Sequence, residues 1–104
     1  MSSAAEYILK QFNNEKIPII IKYIEGCKKL PLEKEKYIIR RNMTLSEFHY
    51  VLNKKIKITK QQSIVLFINN TLQLNSSTMG SLYNEYKDTD DILYITLRCE
   101  NTFG

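Results

Sequence analysis

The residues with the clearest chemical potential lie at the end of the chain, where a short tail follows an apolar run at positions 92–97. The tail reads Glu100, Asn101, Thr102, Phe103 and Gly104. A strand followed by a short tail and a last glycine is typical of a chain whose own carboxylate reacts. A residue without a side chain passes through a narrow enzyme channel and leaves its carbonyl open to attack. The alternative is that Gly104 is only where the chain stops.

The sequence contains no set of residues that predicts catalysis by the chain itself. His49 is the only histidine, and it lies in an amphipathic segment where a structural role is expected. Cys27 and Cys99 are too few and too far apart for a metal motif, and a cytoplasmic chain would keep them reduced. The glycines, at 26, 80 and 104, form no phosphate loop. We therefore expect no enzyme, no metal site and no cofactor.

Length and charge narrow the class of protein and of partner. A chain of 104 residues with 43% hydrophobic and 25% charged residues is expected to form one soluble domain. It has no apolar run near the ~20 residues that span a bilayer and no secretory leader, so we expect a cytoplasmic protein. Residues 1–60 hold thirteen Lys or Arg against six Asp or Glu, whereas residues 61–104 hold two against five. This asymmetry indicates an anionic membrane surface, an acidic peptide or nucleic acid as partner, or else a solvated basic face.

Hydrophobic periodicity predicts helices and strands in a defined order. The predicted helices cover residues 4–12, a segment from Leu45, and a segment from Ser77 or Thr78. Thr44 and Glu47 form a capping box at the start of the main helix. Strands are predicted at 17–23, 36–40, 63–69 and 92–97. Two hairpin-joined strands, a crossing helix and two further strands are typical of an α+β fold of the β-grasp (ubiquitin-like) type, a four-stranded mixed sheet with the last strand beside the first.

With these elements placed, the sequence resembles the ubiquitin-like modifiers of autophagy, the family to which GABARAP belongs, over nearly all of residues 16–104. The motifs that carry the resemblance are Lys16-Ile17-Pro18-Ile19-Ile20, Lys36-Tyr37-Ile38-Ile39, Met43-Thr44-Leu45-Ser46-Glu47-Phe48, Lys54-Lys55-Ile56, Phe67-Ile68-Asn69-Asn70-Thr71-Leu72, Met79-Gly80-Ser81-Leu82-Tyr83-Asn84-Glu85, Leu93-Tyr94-Ile95-Thr96 and Glu100-Asn101-Thr102-Phe103-Gly104. It implies a division into an N-terminal helix and loop (1–15), a β-grasp domain (16–99) and a conjugation tail (100–104).

The resemblance implies that Gly104 is the site of conjugation. In the family, activating and transfer enzymes adenylate the glycine carboxylate with ATP, pass it through thioesters and join it to phosphatidylethanolamine on the autophagosomal membrane. Thr102 and Phe103 would help the tail enter those enzymes. A deconjugating cysteine protease acts on many members, and the modified protein is found on autophagosomes and in the vacuole or lysosome.

The resemblance also implies a groove for receptors that carry an aromatic-x-x-aliphatic motif, bound by strand addition. The residues implied for the aromatic pocket are Pro18, Ile20, Lys36, Ile38 and Ile92. Those implied for the aliphatic pocket are Tyr37, Ile39, Met43, Phe48, Val51 and Leu52, although Phe48 and Leu52 also fit plain core packing. Lys36 and Lys55 would attract acidic residues that flank the motif.

The sequence departs from the family pattern at three places, one of which is Gln73-Leu74 in place of a common proline pair, and it leaves two other functions open. One N-terminal helix remains where the family has two, which puts membrane contact by this region in doubt. Arg40 and Arg41 stand where many members have proline and a small residue, so the peptide preference would shift towards acidic sequences. The alternatives are a modifier joined to a protein lysine and a small basic nucleic-acid-binding domain. Nucleic-acid binding is disfavoured, because Tyr37, Tyr83 and Tyr94 occupy positions needed for packing.

Overall fold

A computed structural model describes residues 3–23, 35–56 and 61–101. The elements are α1 (Ser3–Gln11), β1 (Lys16–Tyr23), β2 (Glu35–Arg40), α2 (Leu45–Lys55), β3 (Gln62–Phe67), α3 (Met79–Tyr86) and β4 (Leu93–Asn101). Their order and type are those predicted from the sequence. None of the helices in these ranges is long and apolar enough to cross a membrane.

The four strands form one mixed sheet in the order β2-β1-β4-β3. β1 is antiparallel to β2 and parallel to β4, and β3 is antiparallel to β4. The two central strands are therefore the first and the last, which confirms the predicted β-grasp topology. Because β2 has a neighbour on one side only, its outer edge presents backbone groups that no strand of the described sheet pairs with.

The two faces of the sheet are covered by different helices. Alternate residues of β1, namely Ile17, Ile19 and Ile21, are fully buried in one cluster with the apolar side chains of α2. The intervening residues Pro18 and Ile20 lie on the opposite face, where α1 packs against β1. Because both faces are covered, β1 is almost continuously apolar, as expected of a strand buried on both sides.

The starts of α2 and α3 lie side by side and share their backbone hydrogen bonds. The capping box is formed as predicted, since the Glu47 amide donates to the Thr44 hydroxyl oxygen at 3.1 Å and Glu47 Oε1 accepts from the Thr44 amide at 2.9 Å. Thr44 also forms a β-bridge with Thr78, the N-cap of α3. The first backbone amides of α2 donate to carbonyls of the segment before α3, and the first amides of α3 donate to carbonyls of the segment before α2. The two helix starts therefore satisfy each other's backbone donors and form one unit.

Gly80 allows α3 to approach the turn after β2. Its amide donates to the Arg41 carbonyl at 2.9 Å, and a Cβ at this position would lie 2.7 Å from Arg41 Cβ and 3.1 Å from the Arg41 carbonyl oxygen. Alanine would gain at most ~1 kcal/mol of helix propensity. That gain is smaller than the ~1–3 kcal/mol cost of overpacking against a backbone that cannot move aside.

We therefore expect Gly80→Ala to lower the free energy of unfolding by about 1–2 kcal/mol. Urea denaturation followed by circular dichroism measures this directly. Ser81→Ala, at the next and exposed position, is the matched control and should stay within ~0.5 kcal/mol of the native chain. An unchanged or increased stability of Gly80→Ala would show that the contact with Arg41 relaxes.

The last strand is longer than the sequence predicted. β4 continues beyond Leu97 to Asn101, and Glu100 and Asn101 pair with Ser63 and Gln62 of β3. Burial continues to alternate in this segment, with Cys99 buried between exposed neighbours. The sequence did not indicate this part of the strand, because most of its residues are polar. Cys99 is disulfide-bonded, so the expectation of a reduced thiol is wrong for this residue. The predicted roles of Thr102, Phe103 and Gly104 lie outside the described residues.

Candidate functional site: a pocket at the β2 edge

The site is built on β2, whose side chains alternate between the two faces of the sheet. Lys36, Ile38 and Arg40 are exposed, whereas Tyr37 and Ile39 are half-buried. The register with β1 fixes the faces, since Ile38 lies opposite Pro18 and Lys36 opposite Ile20, on the side covered by α1. Tyr37 and Ile39 lie opposite Ile19 and Ile17, on the side covered by α2. A single edge strand therefore presents different side chains to the two faces of the sheet.

On the α1 side a pocket of about 310 Å³ opens beside the strand edge. It is lined by all five residues predicted for the aromatic pocket, namely Pro18, Ile20, Lys36, Ile38 and Ile92. Most of the lining is aliphatic, and the exposed Lys36 ammonium is its charged member. The pocket therefore has the volume and the apolar character to take one aromatic side chain, with a cation at its mouth.

The two pocket residues that α1 contributes were not predicted from the sequence. Ala5 and Ile8 of α1 form the wall opposite the strands, and Ala5 is almost completely buried. A signal was present, because Ala5 and Ile8 are apolar and three residues apart, as on one face of a helix. An apolar face indicates that a short helix docks, but its periodicity does not say onto which face of the sheet.

On the α2 side the predicted aliphatic-pocket residues differ in exposure. Tyr37, Ile39 and Met43 are half-buried and pack against the core, and Val51 is 42% exposed. Phe48 and Leu52 are 0% exposed and belong to the core itself. The Tyr37 and Phe48 rings meet edge to face, with centroids 5.6 Å apart. The accessible part of this side is therefore formed by Tyr37, Ile39, Met43 and Val51. Contact of a peptide with Phe48 and Leu52 stays a prediction.

A polar cluster lies at the start of β2 on this side of the sheet. The Tyr37 hydroxyl donates to Glu35 Oε2 at 2.7 Å, and Lys55 Nζ lies 3.5 Å from the same oxygen and 4.6 Å from the centroid of the Tyr37 ring. Burial, and then the Glu35 carboxylate, raise the pKa of Tyr37. Burial opposes ionisation of Glu35, but the Tyr37 hydroxyl and the Lys55 ammonium outweigh it and lower the pKa of Glu35 below its ordinary value of 4.5.

This cluster predicts a pH dependence of stability. Because the Glu35 pKa is lowered in the folded state, its contribution is present above the ordinary value of 4.5 and is lost as the pH falls through the folded value. We expect Glu35→Gln to lower the free energy of unfolding by about 0.5–1 kcal/mol at pH 7, since Lys55 is solvent-exposed, and by much less at pH 3. Glu85→Gln, on the exposed side of α3, is the control. An equal loss at both pH values would contradict the assignment.

The two arginines that follow the groove have different environments. Arg41 is occupied by the fold: Nε donates to the Asn14 carbonyl, Nη1 donates to Asn84 Oδ1 at 3.0 Å, and the guanidinium lies 5.2 Å from the Tyr83 ring centroid. Arg40 is exposed and points to the α1 side. The sequence led us to expect that both arginines shift the peptide preference towards acidic sequences. Because the fold holds the Arg41 guanidinium, only Arg40 is positioned to contribute to that preference.

His49 has the structural role that the sequence indicated. Its Nε2 donates to the Ile64 carbonyl at 2.7 Å, and its Nδ1 accepts from the Asn53 amide at 3.0 Å, which ties α2 to β3. Within residues 3–23, 35–56 and 61–101, no group of three or more His, Cys, Asp or Glu side chains is arranged to hold a metal ion.

A four-stranded β-grasp sheet with a free β2 edge defines a ubiquitin-like protein, and the pocket beside that edge is its candidate binding site. Comparison with known proteins gives the family. A model of the autophagy protein Atg8 ubiquitin-like family matches residues 2–104. The chain belongs to this family of autophagy modifiers. It is 36% identical over 96 residues to autophagy-related protein 8 of Cochliobolus heterostrophus, a match that covers 92% of this chain and 81% of that protein.

Further relatives and solved structures agree. Autophagy-related protein 8 of Neurospora crassa is 35% identical over 96 residues, covering 92% of this chain and 79% of the relative. The crystal structure of Trypanosoma brucei ATG8 is similar with a TM-score of 0.84 and 26% identity over 99% of this chain and 88% of that one. Plasmodium falciparum Atg8 in complex with a Plasmodium falciparum Atg3 peptide is similar with a TM-score of 0.83 and 26% identity, covering 98% and 89%.

Proposed function

We propose that this protein is conjugated through Gly104 to phosphatidylethanolamine on autophagosomal membranes and there recruits receptors through the β2 groove. The family match that extends to residue 104 supports the first part, because it includes the tail with its last glycine. A lipid with two acyl chains would anchor the protein stably, which a single chain would not. The catalytic steps belong to activating and transfer enzymes, and a cysteine protease reverses the bond. The unconjugated protein is cytoplasmic, and the conjugate resides on the autophagosome and reaches the vacuole or lysosome.

The observation that carries the second part is the pocket of about 310 Å³ beside the free edge of β2. Side chains of an added strand alternate between faces, so residues three apart in an aromatic-x-x-aliphatic motif point to opposite sides of the sheet. Their two pockets must then also lie on opposite sides. The Lys36 and Ile38 side chains border the α1 side, and Tyr37 and Ile39 border the α2 side. This match of parity supports recognition of the motif.

The direction of the bound peptide follows from the positions of the two pockets along β2. The aromatic pocket is centred on Lys36 and Ile38, whereas the accessible residues for the aliphatic side chain, Ile39 and Met43, lie further along the chain. The peptide would therefore run parallel to β2. The Plasmodium relative bound to an Atg3 peptide supports peptide binding as a property of this fold and extends the proposed partners to the transfer enzyme of the pathway.

A reconstituted reaction tests the conjugation. The full chain is incubated with activating and transfer enzymes of an Atg8 pathway, ATP and liposomes that contain phosphatidylethanolamine. The expected product is a species of altered electrophoretic mobility whose intact mass exceeds that of the chain by one phosphatidylethanolamine less water. A control with phosphatidylcholine liposomes, which offer no primary amine, should give none. Mass spectrometry of conjugates isolated from cells distinguishes an amide to the lipid from an isopeptide bond to a protein lysine. An isopeptide bond in place of the lipid amide would overturn the proposal.

A further inference from the structure

Cys99 lies near the end of β4 and is held in a disulfide. Its side chain is 7% exposed, belongs to the core cluster and lies opposite Ile64 of β3. The sequence has one other cysteine, Cys27, which lies outside the described residues. Because a disulfide within one chain needs two cysteines, Cys27 is the partner of Cys99.

The register of the sheet shows what this bond adds to the end of β4. β1 pairs with β4 as far as Tyr23 and Leu97, whereas β3 pairs with β4 as far as Asn101. From Arg98 onward, β3 is therefore the only strand that pairs with β4 in the described sheet. The disulfide of Cys99 leads back to the part of the sequence that follows β1, so it attaches the end of β4 a second time.

The proposed place of action of the protein decides how this disulfide behaves. In the cytoplasm, glutathione and thioredoxin keep most thiols reduced, and the disulfides that do form there are usually transient and respond to redox conditions. A buried cysteine also packs well as a thiol, because it behaves as a small apolar side chain. The core around Cys99 therefore tolerates both states, and the bond can open and close in a folded chain.

We propose that Cys99 and its partner cysteine form a redox switch at the base of the tail, in which the disulfide slows conjugation and the dithiol permits it. This regulation rests on the proposed conjugation through Gly104. In the dithiol state, only pairing with β3 holds Glu100 and Asn101, and the ends of strands open locally at low cost. The disulfide attaches this segment a second time, so the segment separates less readily from β3 to let the tail extend into an enzyme.

The switch needs a small disulfide as its oxidant, such as oxidised glutathione. One protein thiolate attacks a sulfur of that disulfide, a glutathione thiolate leaves, and a mixed disulfide forms. The second protein thiolate then attacks the protein sulfur of the mixed disulfide and releases the second glutathione. Two protein thiols are thereby oxidised to one disulfide, and the two glutathione thiolates take up their protons. Excess reduced glutathione reverses both steps.

The test uses the full chain prepared in both redox states. One sample is incubated with oxidised glutathione and one with dithiothreitol, and both are desalted so that neither reagent reaches the catalytic cysteines of the conjugating enzymes. Intact mass confirms that the oxidised chain has lost two hydrogens and carries no glutathione. Initial rates of conjugation to phosphatidylethanolamine liposomes are then measured for both samples and for Cys27→Ser treated in the same two ways. This variant removes the bond and leaves the buried Cys99 side chain in place.

The oxidised native chain is expected to react roughly three- to tenfold more slowly than the reduced chain, and its amides at 98–101 should exchange hydrogen more slowly. Cys27→Ser should react like the reduced chain after either treatment. Equal conjugation rates of the two native samples, a rate difference that survives in Cys27→Ser, or a chain that oxidised glutathione does not convert to the disulfide would overturn the switch while leaving conjugation intact. Conjugation of neither native sample would instead overturn the proposed function, and the switch with it.

Discussion

Replacing Gly104 by alanine is expected to reduce lipid conjugation by at least on the order of 10²-fold, with no change in the fold. The reason is geometric. In the proposed reaction the terminal carboxylate is attacked first as an acyl adenylate and then as a thioester, inside enzyme sites that accept a chain without a side chain at its last position. An added methyl group shifts the carbonyl from the attacking atom, and displacements of about 1 Å cost rates of this order.

Initial rates of the mobility shift in the reconstituted reaction give this number. Ser76→Ala, an exposed loop residue, is the matched control and should react like the native chain. Thermal unfolding of Gly104→Ala should coincide with that of the native protein, which separates a chemical defect from a folding defect. Conjugation of Gly104→Ala at the native rate would falsify the assignment of Gly104 as the reactive residue.

The features that the sequence predicted most reliably are those determined by a few neighbouring residues. Thr44 and Glu47 form the predicted capping box. Asn69 and Asn70, a residue type that tolerates a positive φ, form the turn after β3 with φ of 54° and 59°. These features depend on interactions within a few residues, so their sequence signals are strong. The order of the elements and the right-handed crossover then restricted the topology to the sheet that is observed.

Other parts of the site depend on contacts between distant segments, and the sequence did not predict them. Ala5 and Ile8 line the aromatic pocket only because α1 docks onto the face of β1 opposite α2. Arg40 and Arg41 are adjacent and identical in type, yet one is bound by Asn14 and Asn84 while the other faces solvent. No periodicity in the sequence distinguishes these two arginines, because their difference arises from the loop before β1 and from α3.

The groove gives the second large expected effect, for Ile38→Asp. Ile38 is 47% exposed on an edge strand, so its replacement should change the free energy of unfolding little. A bound aromatic side chain would cover it, and an aspartate there would be desolvated against an apolar wall. Lys36, two residues away on the same face, would also be drawn from the pocket mouth towards the new carboxylate. We expect an aromatic-x-x-aliphatic peptide to bind about 30-fold more weakly or worse, which corresponds to the ~2 kcal/mol of a hot-spot residue.

Fluorescence anisotropy with one labelled motif peptide measures the affinity, and thermal unfolding checks each variant. Leu74→Asp is the matched control, because Leu74 is 74% exposed in the loop before α3 and does not line the aromatic pocket. It introduces the same charge at an exposed apolar position and should leave binding unchanged. Equal weakening by both variants would mean that the added negative charge acts at long range. Native affinity of Ile38→Asp would mean that the peptide binds elsewhere, because strand addition on β2 brings the aromatic residue against this side chain.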